Sequence, residues 1–495
     1  MNEQYELRGA CLDFARAAFG ILAEDHVLPT PKYHRHLAVG RDYFGPDLMG
    51  LAEYKTLEAQ LNDKYPNRFQ DPLTRKHAQF ASTFIFSFLE AAIARCAFSE
   101  DFEAGSSGVI ESITELINVL DASSQEIICV RSVTHLTTVD GNELEIGGIK
   151  IIPESARYDD SAEHVCGEIP GAPSAWNREL PWRFDPPHAL LVTRESVEDP
   201  GDFYGAGRLL SARLERFLRT IRILTSGTVQ TAFEITGPST LTSPMSPHLH
   251  EFGKTTLMGR ALVRREVKLT GNEAQAIEAI GKIIDSAEVK RDRIVATSFD
   301  VAMKKFNAAH VQGSLFDQLV DLATALEAAL IGENEGEGLT LRLCSRAAAL
   351  LSQTDDSSTA IFNDVKQLYL IRSKLVHGGQ ISEKDLGNLF KKLSTMPQHG
   401  IEGHFGIALA HAVDRMSDLV RRAILARLCL AEGPQPKWPF AGGVAVDAQL
   451  SDDDQRRTWR KLWHDRLIAL GVGESAKRAR AAVDMLIPEE ESQTR

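Results

Sequence analysis

Residues 362–379 read FNDVKQLYLIRSKLVHGG, and the rest of the chain is best read outward from this stretch. Apolar side chains at Ile361, Val365, Leu368, Ile371 and Leu375 recur at three- and four-residue steps, the period of a helix with one face in a core. Gly378 and Gly379 end the predicted helix, because glycine readily takes the left-handed conformation that terminates one. Tyr369, Ser373 and His377 fall on one ridge, with Arg372 beside them. The negative end of the helix favours a protonated imidazole at His377. A histidine titrating near neutrality beside a fixed guanidinium can move protons and steady a phosphate.

Spacing alone does not single this pair out. Arginine followed by histidine at similar separation recurs at Arg183/His188, Arg157/His164 and Arg457/His464. The first contains Pro186 and Pro187, which rules out a helix end, and the second lies in an acidic stretch with no apolar period. Context separates them. Three blocks occur in order: FDQLVDLATALEAAL (Phe316 to Leu330), LTLRLCSRAAALL (Leu339 to Leu351) and LYLIRSKLVHG (Leu368 to Gly378). Together they resemble the Apea-like branch of the HEPN superfamily of small helical domains. The first is similar to its opening helix, with an Asp-rich start and a LEALL-like centre. The second is similar to its LRLxxRAAxLL helix, and the third to its Arg-polar-x-x-x-His signature ending in Gly. Ser373 stands where such domains often carry Asn, Asp or His. With the helices that follow, the likeness covers roughly a quarter of the chain.

The resemblance implies an endoribonuclease that needs neither metal nor cofactor and works as a homodimer, two copies sharing one cleft. RNA brings its own nucleophile, the 2′-hydroxyl, so the protein must supply proton transfer and charge stabilisation. His377 is then the acid or base, and Arg372 holds the phosphate. Ser373, Tyr369 and Glu327 are supporting candidates and Lys374 an RNA contact. The products are a 2′,3′-cyclic phosphate and a 5′-hydroxyl. Such a domain behind a larger module implies a sensor–effector toxin, cutting cellular RNA such as tRNA when a phage-derived or cellular trigger binds the N-terminal part. Two rivals stand beside this reading: a non-catalytic HEPN module that binds RNA or nucleotide or acts as an antidote, and a scaffold.

At 495 residues the chain is long enough for two or three domains with real cores. A net charge of −13 argues against a surface coated for nucleic acid, so any RNA contact is a local patch. Six scattered cysteines with no Cys-x-x-Cys pair point to reduced thiols. The N-terminus lacks a signal-peptide pattern, and Phe84 to Phe98, the most apolar run, is interrupted by Glu90 and Arg95. The expectation is a cytoplasmic protein with no membrane partner.

The fold expected is α+β multidomain. Residues 1–270 form a mixed α/β sensor or regulatory domain, 271–431 an all-α HEPN-like helical domain, and 432–495 a linker and a short basic, aromatic helical tail. Helices are expected over Phe80–Phe98, Val109–Leu120, Arg208–Leu224, Gly271–Ser286, Arg291–His310 and Glu383–Met396. Phe405–Leu430 reads as a long amphipathic helix and Asp452 to about Leu470 as a tail helix. Leu28–Asp63 carries no clear pattern. IICVRSVTHLTTV (127–139) and LEIGGIKII (144–152) read as strands joined by a hairpin at Asp140-Gly141. Further strands are expected at Ala189–Thr193, Thr228–Thr236 and Ala261–Thr270. Residues 154–187 read as a loop or lid, and 433–443 as a linker.

Other motifs carry less. Gly253-Lys254-Thr255 lacks the earlier glycine of a phosphate loop, and Gly205-Ala206-Gly207 lacks the third glycine of a dinucleotide fingerprint and reads as a plain turn. His248 with His250, or His164 with Cys166, has no second pair to complete a zinc site. Glu327, in an apolar stretch, is expected to pair with Arg342 or Arg346 rather than act in catalysis, and Tyr369 to pack at the core edge first. In QRRTWRKLWHDR (455–466), Arg456, Arg457, Trp459 and Arg460 are RNA-contact candidates. The favoured alternative there is that Trp459 and Trp463 dock the helix onto a body.

Overall fold

The computed structural model describes residues 2–24, 46–66, 81–99, 101–153, 189–198, 203–240, 248–251, 266–289, 297–311, 314–331, 338–376, 382–396, 405–431 and 446–479. Helix dominates the described residues, with one small antiparallel sheet and a two-stranded parallel ladder, an α+β arrangement.

The first elements are helical: α1 (Asn2–Glu24), α2 (Pro46–Gly50), α3 (Ala52–Lys64), α4 (Ala81–Ser99) and α5 (Ser107–Asp121). Their apolar faces meet in a core of their own, where Phe14, Leu57, Phe84, Phe88 and Leu116 are fully buried. Part of the unassigned segment 28–63 is therefore helix, because Tyr54, Leu57 and Leu61 provide a buried stripe.

A six-stranded sheet follows, in the order β3-β4-β5-β1-β6-β7. Its strands are β1 (Gln125–Thr134), β3 (Leu144–Ile146), β4 (Ile149–Pro153), β5 (Ala189–Val197), β6 (Gln230–Pro238) and β7 (His248–Glu251), and every pairing is antiparallel. The short β2 (Leu136–Thr138) instead runs parallel to β8 (Val267–Leu269). The expected hairpin at Asp140-Gly141 is corrected by this register. A turn is present, with Gly141 at φ +67°, yet β1 pairs with β5 and β6 rather than with the strand across the turn. The two-residue hairpin lies at Gly147-Gly148, both at positive φ, as such tight turns demand. His135, at φ +60°, makes the break between β1 and β2.

Helix α6 (Phe203–Thr225) packs on β1 and β5. Gly205-Ala206-Gly207 is its first turn rather than a plain turn, and a Cβ on Gly207 would lie 3.1 Å from Thr236 Cγ2 of β6. The chain then continues through α7 (Gly271–Val289), α8 (Ser298–Val311), α9 (Leu315–Leu330), α10 (Leu339–Leu351), α11 (Ser358–Val376), α12 (Glu383–Phe390), α13 (Phe405–Ala431), α14 (Val446–Ser451) and α15 (Asp453–Ala469). The helix expected to reach Met396 stops at Phe390, and turns follow it. One buried apolar cluster runs from Ile127 of the sheet to Ala476 beyond α15.

Helix α13 is the centre of that cluster and touches α6, α8, α9, α10, α11, α12 and α15. Every residue from Asp418 to Leu430 is buried. The expected amphipathic helix is corrected accordingly: its charged stripe faces protein, not solvent. Asp356 accepts from Arg415 at 2.8 and 3.0 Å and from Arg422 at 2.5 Å. Asp364 accepts from Arg415 Nε at 2.8 Å, and Asp418 from Arg421 at 2.7 Å. Three arginines and three aspartates thus neutralise one another, which offsets much of the cost of burying them. Burial opposes ionisation of Asp418, but Arg422, Arg421 and Arg415 outweigh it and hold its carboxyl below the usual range.

The tail is pinned to this network. Trp459 and Trp463 are buried, and Trp463 donates to the Leu350 carbonyl at 3.3 Å. Arg421 donates to the carbonyls of Ser475 and Lys477 at 2.6 and 3.0 Å. The docked form of the tryptophan pair is the observed one. Among the described residues no helix is long and apolar enough to cross a membrane.

Candidate functional site

Helix α11 forms as its sequence period requires: Ile361, Val365, Leu368 and Ile371 are fully buried, and Leu375 packs at the edge of the core. This leaves Tyr369 and Arg372 where α11 passes the last turn of α9. The Tyr369 hydroxyl donates to Glu327 Oε2 at 3.0 Å. The Arg372 guanidinium carbon lies 5.6 Å from the centre of the Tyr369 ring, within the range of a cation–π contact. Ser373 is half-buried and Lys374 exposed on the same turn. The structure therefore brings Glu327, Tyr369 and Arg372 together, with Ser373 and Lys374 adjacent in the helix. His377 lies outside the described residues; in sequence it directly follows Val376, the last residue of α11.

The last turn of α9 is held from two sides. Arg346 donates to the Leu330 carbonyl at 2.9 Å, and Arg427 to the Ala328 carbonyl at 2.8 Å. Cationic donors at the open carbonyls of a helix end satisfy both the hydrogen bonds and the dipole. Glu327 is thus presented from a fixed scaffold. The expected partner of Glu327 is corrected here. Arg346 binds Asp447 of α14 through two bonds, at 2.7 and 3.0 Å, and Arg342 reaches the same carboxylate at 3.3 Å. Glu327 is left to Tyr369.

The electrostatics follow from burial. The Tyr369 phenol is pushed up to about 12, first by desolvation and then by the charge and hydrogen bond of Glu327, with Arg372 pulling the other way. At neutral pH the hydroxyl is a committed donor. Arg372 has no ion pair among the described residues, and its Nε, although buried, has no hydrogen-bond partner. Every fully buried arginine in the same set has carboxylate, amide, hydroxyl or carbonyl partners: Arg131 with Glu234, Arg222 with Asn307, Arg346 with Asp447, and Arg415, Arg421, Arg422 and Arg427 as well. A partly buried cation resting on a ring, without a counterion among the described residues, is available to an incoming anion.

The tail residues are placed elsewhere. Trp459 is 2% exposed and has no face for a base, so its candidacy as an RNA contact is corrected by burial. Arg456 bonds Asp453, Arg457 bonds Asp454 at 2.8 Å, and Arg460 bonds Ser352. Only Arg457 of these three is largely exposed. Arg157, His164, Cys166, Arg183, His188, the 154–187 loop, the 433–443 linker and Gly253-Lys254-Thr255 lie outside the described residues. His248 and His250 stand on β7 opposite Thr236 and Glu234. Among the described residues no three His, Cys, Asp or Glu side chains gather as a metal site would require.

A second polar cluster lay beyond the sequence reading. Arg131 of β1 binds Glu234 of β6 and Glu215 of α6, and Asn307 of α8 joins Glu215 to Arg222. The charges balance and the groups are mutually committed, as in a structural network. No sequence signal marks it, because its members are scattered from 131 to 307. No family model, curated protein sequence or solved structure matches this chain.

Proposed function

We propose that this chain is a HEPN-type endoribonuclease that requires no metal, acts as a homodimer, and serves as a triggered antiviral or toxin effector in the cytoplasm. Its substrate is cellular RNA, with tRNA the leading candidate. The observation that carries the reading is the Arg372 guanidinium at the end of α11, without an ion pair among the described residues and five residues before the next element of the motif, His377. The three sequence blocks fall on α9, α10 and α11, which pack with α13 as one helical group, and this supports the same reading.

The chemistry asks little beyond these groups. His377 accepts the proton of a ribose 2′-hydroxyl as that oxygen attacks the adjacent phosphorus. Arg372 binds the non-bridging oxygens and stabilises the charge that develops on them. The bond to the 5′-oxygen breaks, and His377 of the partner subunit returns a proton to the leaving oxygen. A 2′,3′-cyclic phosphate and a 5′-hydroxyl result. Lys374, exposed two residues after Arg372, is a cation for the flanking backbone. Residues 1–270 would hold the sensor for the trigger.

The test is made in cells. The wild-type chain and His377→Ala are expressed in a bacterial host, with and without phage challenge, and RNA ends bearing cyclic phosphate are sequenced. Growth arrest with new cyclic-phosphate ends only in the wild type is expected. Equal ends or equal toxicity in His377→Ala would overturn the assignment.

A further inference from the structure

Arg372 has no carboxylate partner among the described residues, yet an acid stands close by. Glu327 accepts a hydrogen bond from Tyr369 at 3.0 Å, and the same tyrosine carries the Arg372 guanidinium 5.6 Å from its ring centre. One side chain, Tyr369, contacts both the acid and the guanidinium. We infer that Tyr369 is a positioning residue that keeps Glu327 and Arg372 apart, so that the guanidinium stays available to a phosphodiester; this rests on the reading of Arg372 given above.

A direct carboxylate–guanidinium pair is charge-assisted and often bidentate. Had Glu327 captured Arg372, a phosphate would first have to displace the carboxylate. In the observed arrangement a neutral hydroxyl satisfies the carboxylate and a π face holds the cation, so neither charge is cancelled. The parts are fixed. Arg346 and Arg427 hold the carbonyls at the end of α9, while Leu368 and Ile371 anchor α11 on either side of Tyr369. The raised phenol keeps Tyr369 a donor throughout the working pH range.

The experiment uses the full chain and a fluorescein-labelled 2′-O-methyl oligoribonucleotide, which offers phosphodiesters but no attacking hydroxyl. Binding is therefore read without cleavage. Tyr369→Phe keeps the ring and frees Glu327 to pair with Arg372, and affinity is expected to fall roughly tenfold, the worth of one charged contact. The double variant Tyr369→Phe/Glu327→Gln should regain wild-type affinity, because no acid remains to capture the cation. A purely structural role for the hydroxyl would not give that rescue. Arg372→Ala is the control. If it binds as tightly as wild type, the phosphate role of Arg372 falls and the positioning role with it. If Arg372→Ala weakens binding but Tyr369→Phe does not, or the double variant stays weak, only the positioning role is overturned. Should Tyr369→Phe melt early, Glu327→Gln alone decides: it keeps an acceptor for Tyr369 and must bind at least as tightly as wild type, and weaker binding would refute the inference.

Discussion

His310, near the end of α8, should make the folded state sensitive to mild acid. Its Nδ1 lies 2.8 Å from the Phe306 carbonyl, so the neutral ring carries its proton there and donates. Burial, then the nearby positive charge of Arg222, holds its pKa down to about 3. In the unfolded chain the imidazole titrates at about 6.5. Below that value the unfolded state takes up a proton that the folded state refuses, so stability falls as pH drops from about 6.5 toward 3. At a pH one unit below the unfolded value the loss is RT ln 11, about 1.4 kcal/mol. Urea unfolding of wild type and His310→Gln at about pH 7.5 and about pH 5.5 isolates this effect, since glutamine can donate to the same carbonyl and does not titrate. The wild type should lose about 1.4 kcal/mol more than the variant between the two conditions. Equal losses would mean that His310 protonates within the folded protein, and the burial argument would fail.

Four further outcomes follow from the packing and its ion pairs. Asp356→Ala takes a shared carboxylate from Arg415 and Arg422, and removal of one partner from a buried ion network costs about 3–5 kcal/mol, read as a lowered urea midpoint. Arg457→Ala, which breaks an exposed pair with Asp454, should leave that midpoint unchanged. Glu215 and Asp418 both have depressed carboxyl pKa values despite burial. Their stabilisation is complete above the unfolded carboxylate range and is lost as pH falls below about 4, so a second, steeper loss of stability should appear there in acid titration. Trp463→Ala removes a fully buried anchor of α15 at a cost of about 3–5 kcal/mol. Limited proteolysis should then cut within 446–479 before it cuts α11.

What the sequence made legible was what local period encodes. The apolar stripe of α11 appears in the structure at the same residues, from Ile361 to Ile371, because a 3.6-residue repeat suffices to define a buried face. Helices α6, α7, α13 and α15 were readable for the same reason, and the strands at 189 and 230 from their short apolar, β-branched runs. The register was not. Asp140-Gly141 offered a good turn, but β1 lies in the middle of the sheet and its partners come from residues 189–197 and 230–238. Long-range pairing of that kind leaves no mark on the residues beside the turn. Helix α13 misled for a different reason. Arg415, Asp418, Arg421 and Arg422 mimic a solvent face, and only Asp356 and Asp364, far off in sequence, reveal that the face is internal.

At the candidate site, Arg372, Tyr369 and Glu327 were each visible as residues, but their geometry was not. The pairing of Glu327 with Tyr369 depends on Asp447 having claimed Arg342 and Arg346 from more than ninety residues away. The availability of Arg372 is in turn a property of what its neighbours do not offer it, and no spacing rule expresses that.

The central claim is tested most directly with tRNA recovered from phage-challenged cells expressing wild type or Arg372→Ala, with both RNA termini of the fragments identified chemically. The account predicts 2′,3′-cyclic phosphate and 5′-hydroxyl ends from the wild type and none from the variant. Equal cleavage by both proteins, or fragments ending in 5′-phosphate, would contradict it.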